Sequence, residues 1–378
     1  PDRDRRRGDV HESYFCIRGR LDLARAPNQT YHILVKEEQF MASPVFYVPV
    51  NDADSIEVRR EKMERLLARS GLLEPVSPGS SVAIKIHFGE EGNRGYVKPG
   101  LVRRVVDEAK RRGGSPTLAD TNTLYRGRRV FSQDHLRLAH EHGFTLEGIG
   151  CDIAVPDEHN EPCVRAVACR GKRLHEAKIP AIFLDADVLA GVAHFKGHVL
   201  CGIGGALKNI GMGCASREGK LFQHAELAPK IKAGRCTACG ACVEACPAGA
   251  LSIASGRAVL DGKLCIGCAA CIAACRYGAV DVPWSSGTGS IQYKMVEYVH
   301  AVLSHRGPSV FINVATRITA ECDCMAGDDP SVAPDVGFLA STDPVALDQA
   351  CVDLVFKAAG GDVLREAHPS RDYTQQLR

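Results

Sequence analysis

Residues 81–120 read SVAIKIHFGEEGNRGYVKPGLVRRVVDEAKRRGGSPTLAD, and this stretch decides the fold. Val82, Ala83, Ile84, Lys85 and Ile86 make a short, β-branched run that predicts a strand. Pro99 is placed to open a helix whose apolar face is Leu101, Val102, Val105, Val106 and Ala109, and Gly113 with Gly114 stops it. Residues 117–120 then predict another strand, and strand, helix, strand in succession is the grammar of an α/β layer architecture.

The same grammar extends outward. Residues 45–48 predict an earlier strand, and Asp54 with Glu57 makes an N-terminal capping pattern ahead of the stripe Ile56, Met63, Leu66 and Leu67, which Gly71 is placed to end. Residues 182–184 and 192–195 are further strand candidates. Past residue 285, residues 291–303 predict a helix and residues 309–314 and 336–339 predict strands. Asp343-Pro344 caps a mainly apolar, buried helix that ends near Gly360 and Gly361. The expected fold is α/β, a mixed or mostly parallel sheet flanked by helices, in segments 41–228 and 285–365. Residues 1–40 are read as an N-terminal arm and 366–378 as a C-terminal tail. Residues 229–284 follow a different grammar and are read as an inserted α+β module; two α/β domains flanking that module are the alternative, although about 80 residues is small for the second one.

Composition narrows the function. With 378 residues, 45% hydrophobic and 24% charged, the chain has ample core for two or three domains. Lys+Arg 47 against Asp+Glu 45 leaves a formal charge of +2, and like-charge runs such as Arg5–Arg7 are short, so no nucleic-acid footprint is expected. Apolar runs such as residues 45–50 fall far short of the ~20 residues that span a bilayer, and no signal-peptide core follows the arginines, so the expectation is a soluble, cytoplasmic protein without membrane contact. The chain begins at Pro1 rather than Met, which leads us to expect a missing start and to read the Arg-rich opening as a flexible or partner-docked arm.

Of 17 cysteines, eight lie within residues 236–275. Cys236, Cys239, Cys242 and Cys246 follow Cys-x2-Cys-x2-Cys-x3-Cys with Pro247 after the last, and Cys265, Cys268, Cys271 and Cys275 repeat the spacing. The duplicated segment resembles two-cluster bacterial ferredoxins. That resemblance implies two [4Fe-4S] clusters with the fourth cysteine of each run crossing over: Cys236, Cys239, Cys242 with Cys275, and Cys265, Cys268, Cys271 with Cys246. Arg276 stands where a proline usually follows the second run. The alternative, paired zinc sites, leaves the middle cysteine of each triplet without a role. Residues 229–284 carry six basic and three acidic side chains, so the module reads as a docked relay rather than an acidic shuttling carrier.

The stretch HFKGH at 194–198, followed by GIGGALKNIGMGC at 202–214, resembles the ferredoxin-containing branch of the family called domain of unknown function 362. Matching segments are 85–90, 120–125, 322–324 and 335–346, so the resemblance runs from about residue 45 to 358. It implies an α/β domain with an inserted ferredoxin module and supplies no established reaction.

Three sites are expected beside the clusters. Gly202, Gly204 and Gly205 leading into a helix near Ala206, with Lys208, suit an anion such as a phosphate, a carboxylate or a flavin phosphate; tight backbone packing explains the glycines equally well. The run matches neither the P-loop nor Gly-x-Gly-x-x-Gly, so no NAD or ATP specificity follows. Cys322 and Cys324, with His194 and His198, are candidate ligands of a third metal, and Cys214 and His224 stand in reserve. His87, Asp120 and His194 fall at the carboxyl ends of predicted strands, where open α/β sheets place ligands, and are candidates for proton donation and substrate orientation; the alternative is an Asx-type turn at Asp120 and a packing role for His87.

The expected function is therefore a cytoplasmic iron-sulfur oxidoreductase that relays single electrons from a redox partner protein to a crevice, where a small-molecule substrate or a further cofactor is transformed. The alternative is a non-catalytic electron-transfer or cluster-handling protein. No Cys-x3-Cys-x2-Cys run is present to suggest radical chemistry.

Overall fold

The computed structural model describes residues 43–156, 163–225, 228–284 and 291–378, together with the backbone of Tyr14–Cys16 and Tyr31–Leu34. Arg5–Arg7 and the side chain of Cys16 lie outside the described residues.

A nine-stranded sheet organises the molecule. From one edge to the other its strands are Tyr14–Cys16, Tyr31–Leu34, Pro44–Pro49, Gly337–Ser341, Ser309–Ala315, Val188–His194, Ser81–Lys85, Ser115–Ala119 and Asp152–Ala154. Neighbours from Ser309–Ala315 to Asp152–Ala154 are all parallel, while Gly337–Ser341 runs antiparallel to both of its neighbours. The sheet is thus mostly parallel, as the strand-helix-strand pattern requires. Segments from both sides of residues 229–284 meet in it, since Ser309–Ala315 pairs with Val188–His194 in register Ser309 to Leu189.

Parallel strands are buried on both faces. Val310, Ile312 and Val314 point to one apolar cluster with Leu66 and Val102, from the helices Ile56–Ser70 and Pro99–Arg111. Phe311 and Ala315 point to the other, with Met295, Tyr298 and Leu347 from the helices Ile291–Ser304 and Pro344–Ala359. Pro99 stands at the first helical position, Gly71 ends its helix in the left-handed region at φ 59°, and the Asp343 carboxylate accepts from the amides of Val345 and Ala346, as the sequence anticipates.

Some expectations need correction. Ser55, not Asp54, caps the first helix, accepting from Val58 N; Asp54 accepts from Asn51 N instead. Residues 182–184 lie in a single helical turn, Ala181–Asp185, that follows the hairpin Val164–Ala168/Glu176–Pro180 and drops Phe183 into the core; a three-residue apolar run does not discriminate strand from helix. Tyr14–Cys16, at the edge of the sheet, and Tyr31–Leu34, next to it, are strands within the segment read as an arm. The segment read as a tail is anchored: Tyr373 and Leu377 are buried, and Gln376 donates to the Cys201 carbonyl.

Residues 228–284 build a small unit from two antiparallel pairs, Lys230–Ile231 with Val280–Asp281, which joins the ends of the unit, and the hairpin Leu251–Ala254 with Arg257–Leu260, and two short helices, Ala241–Glu244 and Ala270–Ala274. Its apolar cluster includes Leu251, Ile272 and Val280 and extends to Leu124, Leu221 and Ala225 of the α/β part. No helix among the described residues is long and apolar enough to cross a membrane.

Candidate functional site

The eight cysteines of the duplicated runs face one another in two groups. Cys236, Cys239, Cys242 and Cys275 line one small cavity. Burial first, and then Cys275, Cys236 and Cys239, push the Cys242 thiol up. In the other group burial, then Cys268, Cys265 and Cys246, push the Cys271 thiol up to about 12. The loops curl in the same way in both repeats: Ala238 and Gly267 occupy equivalent positions with φ 56° and 75°, and Gly240 and Ala269 do so with φ 82° and 60°. Backbone amides of Ala258, Ala250 and Ala279 donate to the sulfurs of Cys236, Cys246 and Cys275 at 3.2 to 3.3 Å. Four sulfurs around a small hollow, with amides aimed at them, form a donor set that fits a cubane and stabilises the thiolate form.

A crevice of about 690 Å³ opens beside this unit, at the carboxyl ends of Ser81–Lys85, Ser115–Ala119 and Val188–His194. Six cations line it, Lys85, Arg126, Arg129, Lys196, Lys208 and Lys220, against three carboxylates, Glu90, Glu91 and Asp120. Most of these charges are locked together. Lys85 reaches Asp120 at 3.0 Å and also donates to Asn209 Oδ1 and the Ile86 carbonyl. Burial opposes ionisation of Asp120, but Lys85, His135 and His87 outweigh it and hold the carboxyl well below its usual range. Arg129 donates to Glu90 at 3.1 Å and to Tyr125, and Lys220 donates to Thr121 Oγ1 and the Asn122 carbonyl. Lys208 is different: among the described residues neither a carboxylate nor a hydrogen-bond acceptor meets its ammonium group. Burial and the neighbouring Lys196, Arg129 and Lys85 lower it to about 8, with only Cys201 opposing.

His87, Asp120 and His194 all line the crevice, and so does His198. Their roles differ from those anticipated. His87 packs against Arg129, with Nη1 of the guanidinium 2.8 Å from Nε2; burial, and then that charge, push the ring well below the usual histidine range, which disfavours its protonated form. Asp120 accepts from the adjacent Thr121 N at 2.8 Å, one residue short of an Asx turn, while carrying the Lys85 ion pair. His194 has both ring nitrogens engaged, Nδ1 with Asp323 Oδ1 at 2.9 Å and Nε2 with the carbonyls of Thr316 and Arg317, so neither is free to bind a metal.

Of the four candidate ligands for a third metal, His198, Cys322 and Cys324 converge, with one donor atom of each within 4.8 Å of the others, a spacing compatible with a metal ion. Cys322 and Cys324 are joined by a disulfide. His198 Nδ1 accepts the amide protons of Leu200 and Cys201, both at 3.1 Å, which puts the ring proton of the neutral imidazole on Nε2. One nitrogen is therefore occupied and the other protonated. Of the reserves, Cys214 is buried in the core, and His224 lines the crevice in an edge contact with Trp284, 4.8 Å between centroids.

The glycine run is not an anion cradle. Asp348 already fills the helix start, accepting from Ala206 N at 2.7 Å and Leu207 N at 3.0 Å. The glycines serve packing: a Cβ at Gly205 would sit 2.3 Å from Asp348, one at Gly202 2.8 Å from Tyr373, and one at Gly204 3.3 Å from Lys208. Of that set, Gly205 and Lys208 line the crevice. Sequence reasoning missed Lys85, Arg129, Lys196, Lys220 and Asp323. A lysine inside the apolar run 82–86 and an aspartate between two cysteines were the available signals.

No curated protein matches the chain. Among solved structures, a crystal structure of a protein from Thermotoga maritima is similar, with a TM-score of 0.45 and 12% identity over 82% of this chain and 61% of that one. The lactate racemase apoprotein from Thermoanaerobacterium thermosaccharolyticum gives a TM-score of 0.37 and 12% identity over 67% of this chain and 48% of that one. The chain thus matches less than two thirds of the length of either, and at such values they bear on no chemistry. Residues 82–353 match the family described as Domain of unknown function (DUF362), and the chain belongs to that family.

Proposed function

We propose that the chain is an iron-sulfur oxidoreductase of the ferredoxin-containing branch of its family, with residues 229–284 inserted into one α/β domain as a two-cluster module. Cys236, Cys239, Cys242 and Cys275 hold one [4Fe-4S] cluster, and Cys265, Cys268, Cys271 and Cys246 hold the other. The clusters supply one-electron transfer, fed by a redox partner protein.

One observation carries this reading: the crevice and the cysteine module share a wall. Leu124 and Trp284 line the crevice and also pack into the module's apolar cluster beside Cys242, Cys271 and Cys275. A volume of about 690 Å³ suits a small organic ligand or a bound cofactor such as a flavin. The ligand is anionic, because the crevice's cations outnumber its carboxylates and Lys208 has no internal counter-charge. Lys208 pairs with the anionic group, while Lys85, Asp120, Arg129 and Glu90 form the rigid, internally neutralised floor against which it is positioned. A purely electron-carrying protein has no use for such convergence of polar groups beside its clusters.

The test is anaerobic purification with iron analysis, followed by stopped-flow reoxidation of the reduced protein with carboxylate- and phosphate-bearing acceptors. We expect about eight irons per chain, saturable reoxidation, and weakened saturation in Lys208→Met. Reoxidation that does not saturate, or that ignores Lys208, removes the crevice as the electron terminus.

A further inference from the structure

We propose that Cys322 and Cys324 are a redox-active dithiol in the crevice wall, which takes up two electrons as their disulfide opens. The source of those electrons rests on the relay reading above; the rest stands on the pair itself.

Among the described residues Cys322 and Cys324 form the one disulfide. The stabilisation a disulfide gives by restricting the unfolded chain grows with the length of the loop it closes, and here one residue lies between the two sulfurs' carriers. The bridge has almost no structural work to do. The two cysteines are also unequal: Cys322 is 2% exposed, whereas Cys324 is partly exposed and lines the crevice. An accessible sulfur that exchanges and a sheltered one that resolves is the asymmetry dithiol chemistry uses.

The peptide between them is clamped so that both sulfurs stay side by side when the bond opens. Asp323 is gripped by His194 at 2.9 Å and Lys196 at 3.2 Å, and its carbonyl accepts from Glu90 N at 3.0 Å. The preceding turn is held as closely: Gly197 donates to the Thr319 carbonyl, and a Cβ at that glycine would stand 2.2 Å from the Ala320 oxygen. The hydrogen bonds of His198 leave it no lone pair for a metal, so two thiolates without a third ligand remain, which favours redox use over metal binding.

Opening the bond consumes two electrons and two protons: one S–S bond breaks and two S–H bonds form. The cysteine sets Cys236, Cys239, Cys242, Cys275 and Cys265, Cys268, Cys271, Cys246 would hold the two one-electron donors, and two solvent protons add to the Cys322 and Cys324 sulfurs. Reclosure hands both electrons, as a pair, to a reducible anionic organic molecule in the crevice, which takes up the two protons. The pair thereby converts single-electron delivery into a two-electron reduction.

The experiment poises the iron-loaded protein anaerobically over a series of potentials, labels thiols by alkylation and maps the 322–324 peptide by mass spectrometry. We expect two labels to appear together in one two-electron transition. After photoreduction by two electrons per chain, cluster absorption should bleach and then recover as those labels appear. In Cys324→Ser, iron stays unchanged and the bleach persists without recovery. Labels at every potential, labels at none even with dithiothreitol, or one metal equivalent beyond the cluster iron that Cys322→Ser removes would each overturn the proposal. Dithiothreitol opens the bridge without clusters, so dithiothreitol-dependent labels in a protein lacking cubane absorption overturn the relay and uphold the dithiol.

Discussion

In the cysteine module the eight cysteines fall within residues 236–275, whereas the crevice draws its walls from Lys85 to Ala326. The module's apolar cluster has 13 buried residues, three of them cysteines and three borrowed from the α/β part. The crevice rests on both faces of a nine-stranded sheet. A site made of contiguous ligands needs little core, because the bound group supplies the cross-links. A site made of buried charges needs a large preformed core to keep each charge within reach of its partner. On the proposed reading the first fails by losing its metal and the second by losing a counter-charge.

The largest contrast should come from metal removal. Anaerobic chelation is expected to abolish amide-exchange protection across residues 229–284 while the strands Val188–His194 and Ser309–Ala315 stay protected. Unchanged protection in the module would mean that its own packing holds it. Next in size is Lys85→Met, which removes the nearest cation from buried Asp120 and leaves it the Arg129 guanidinium at 3.9 Å; it should cost about 3–5 kcal/mol in anaerobic urea unfolding. Iron content should not move. A loss below about 1 kcal/mol would contradict the view that the crevice floor depends on this pair.

The pH dependence separates the regions further. Burial raises the Asp323 carboxyl, but His194 and Lys196 more than offset that and hold it well below 3.8. Its stabilisation is fully present above the ordinary carboxylate range and is lost as pH falls below it. Asp323→Asn should flatten that acid limb. Lys208 runs the other way. Lowered to about 8 from 10.5, it leaves the unfolded chain binding more protons between those values, so stability rises with pH across that window. Lys208→Met should erase the rise, and wild-type anion binding should weaken above pH 8. The smallest effect sets the baseline: Arg137→Ala, which breaks an exposed pair with Asp134, should change stability by less than about 0.5 kcal/mol.

What the sequence made legible follows the same division. The helices Ile56–Ser70, Pro99–Arg111 and Pro344–Ala359 could be read because apolar period, capping residue and terminal glycine all lie within the helix or one turn of it. The gathering of the cysteine runs into two groups could be read because their spacing is local and repeated. The glycine run was half legible, since its alternatives differ only in Asp348, which arrives 142 residues after Ala206 to fill the helix start. His194 looked like a ligand until Asp323 and two carbonyls took both its nitrogens. Tyr373 and Leu377 are buried against segments far upstream, so nothing local distinguishes an anchored terminus from a loose one. Partners brought from a distance by the sheet leave no local mark.

The proposed function requires electrons to reach the crevice from two clusters, and low-temperature electron paramagnetic resonance of the anaerobically reduced protein, with iron quantified on the same sample, tests this most directly. The expected result is about eight irons per chain and the spin-coupled signal of two reduced [4Fe-4S] clusters. A colourless, signal-free sample, or one whose cysteines hold only zinc, would contradict it.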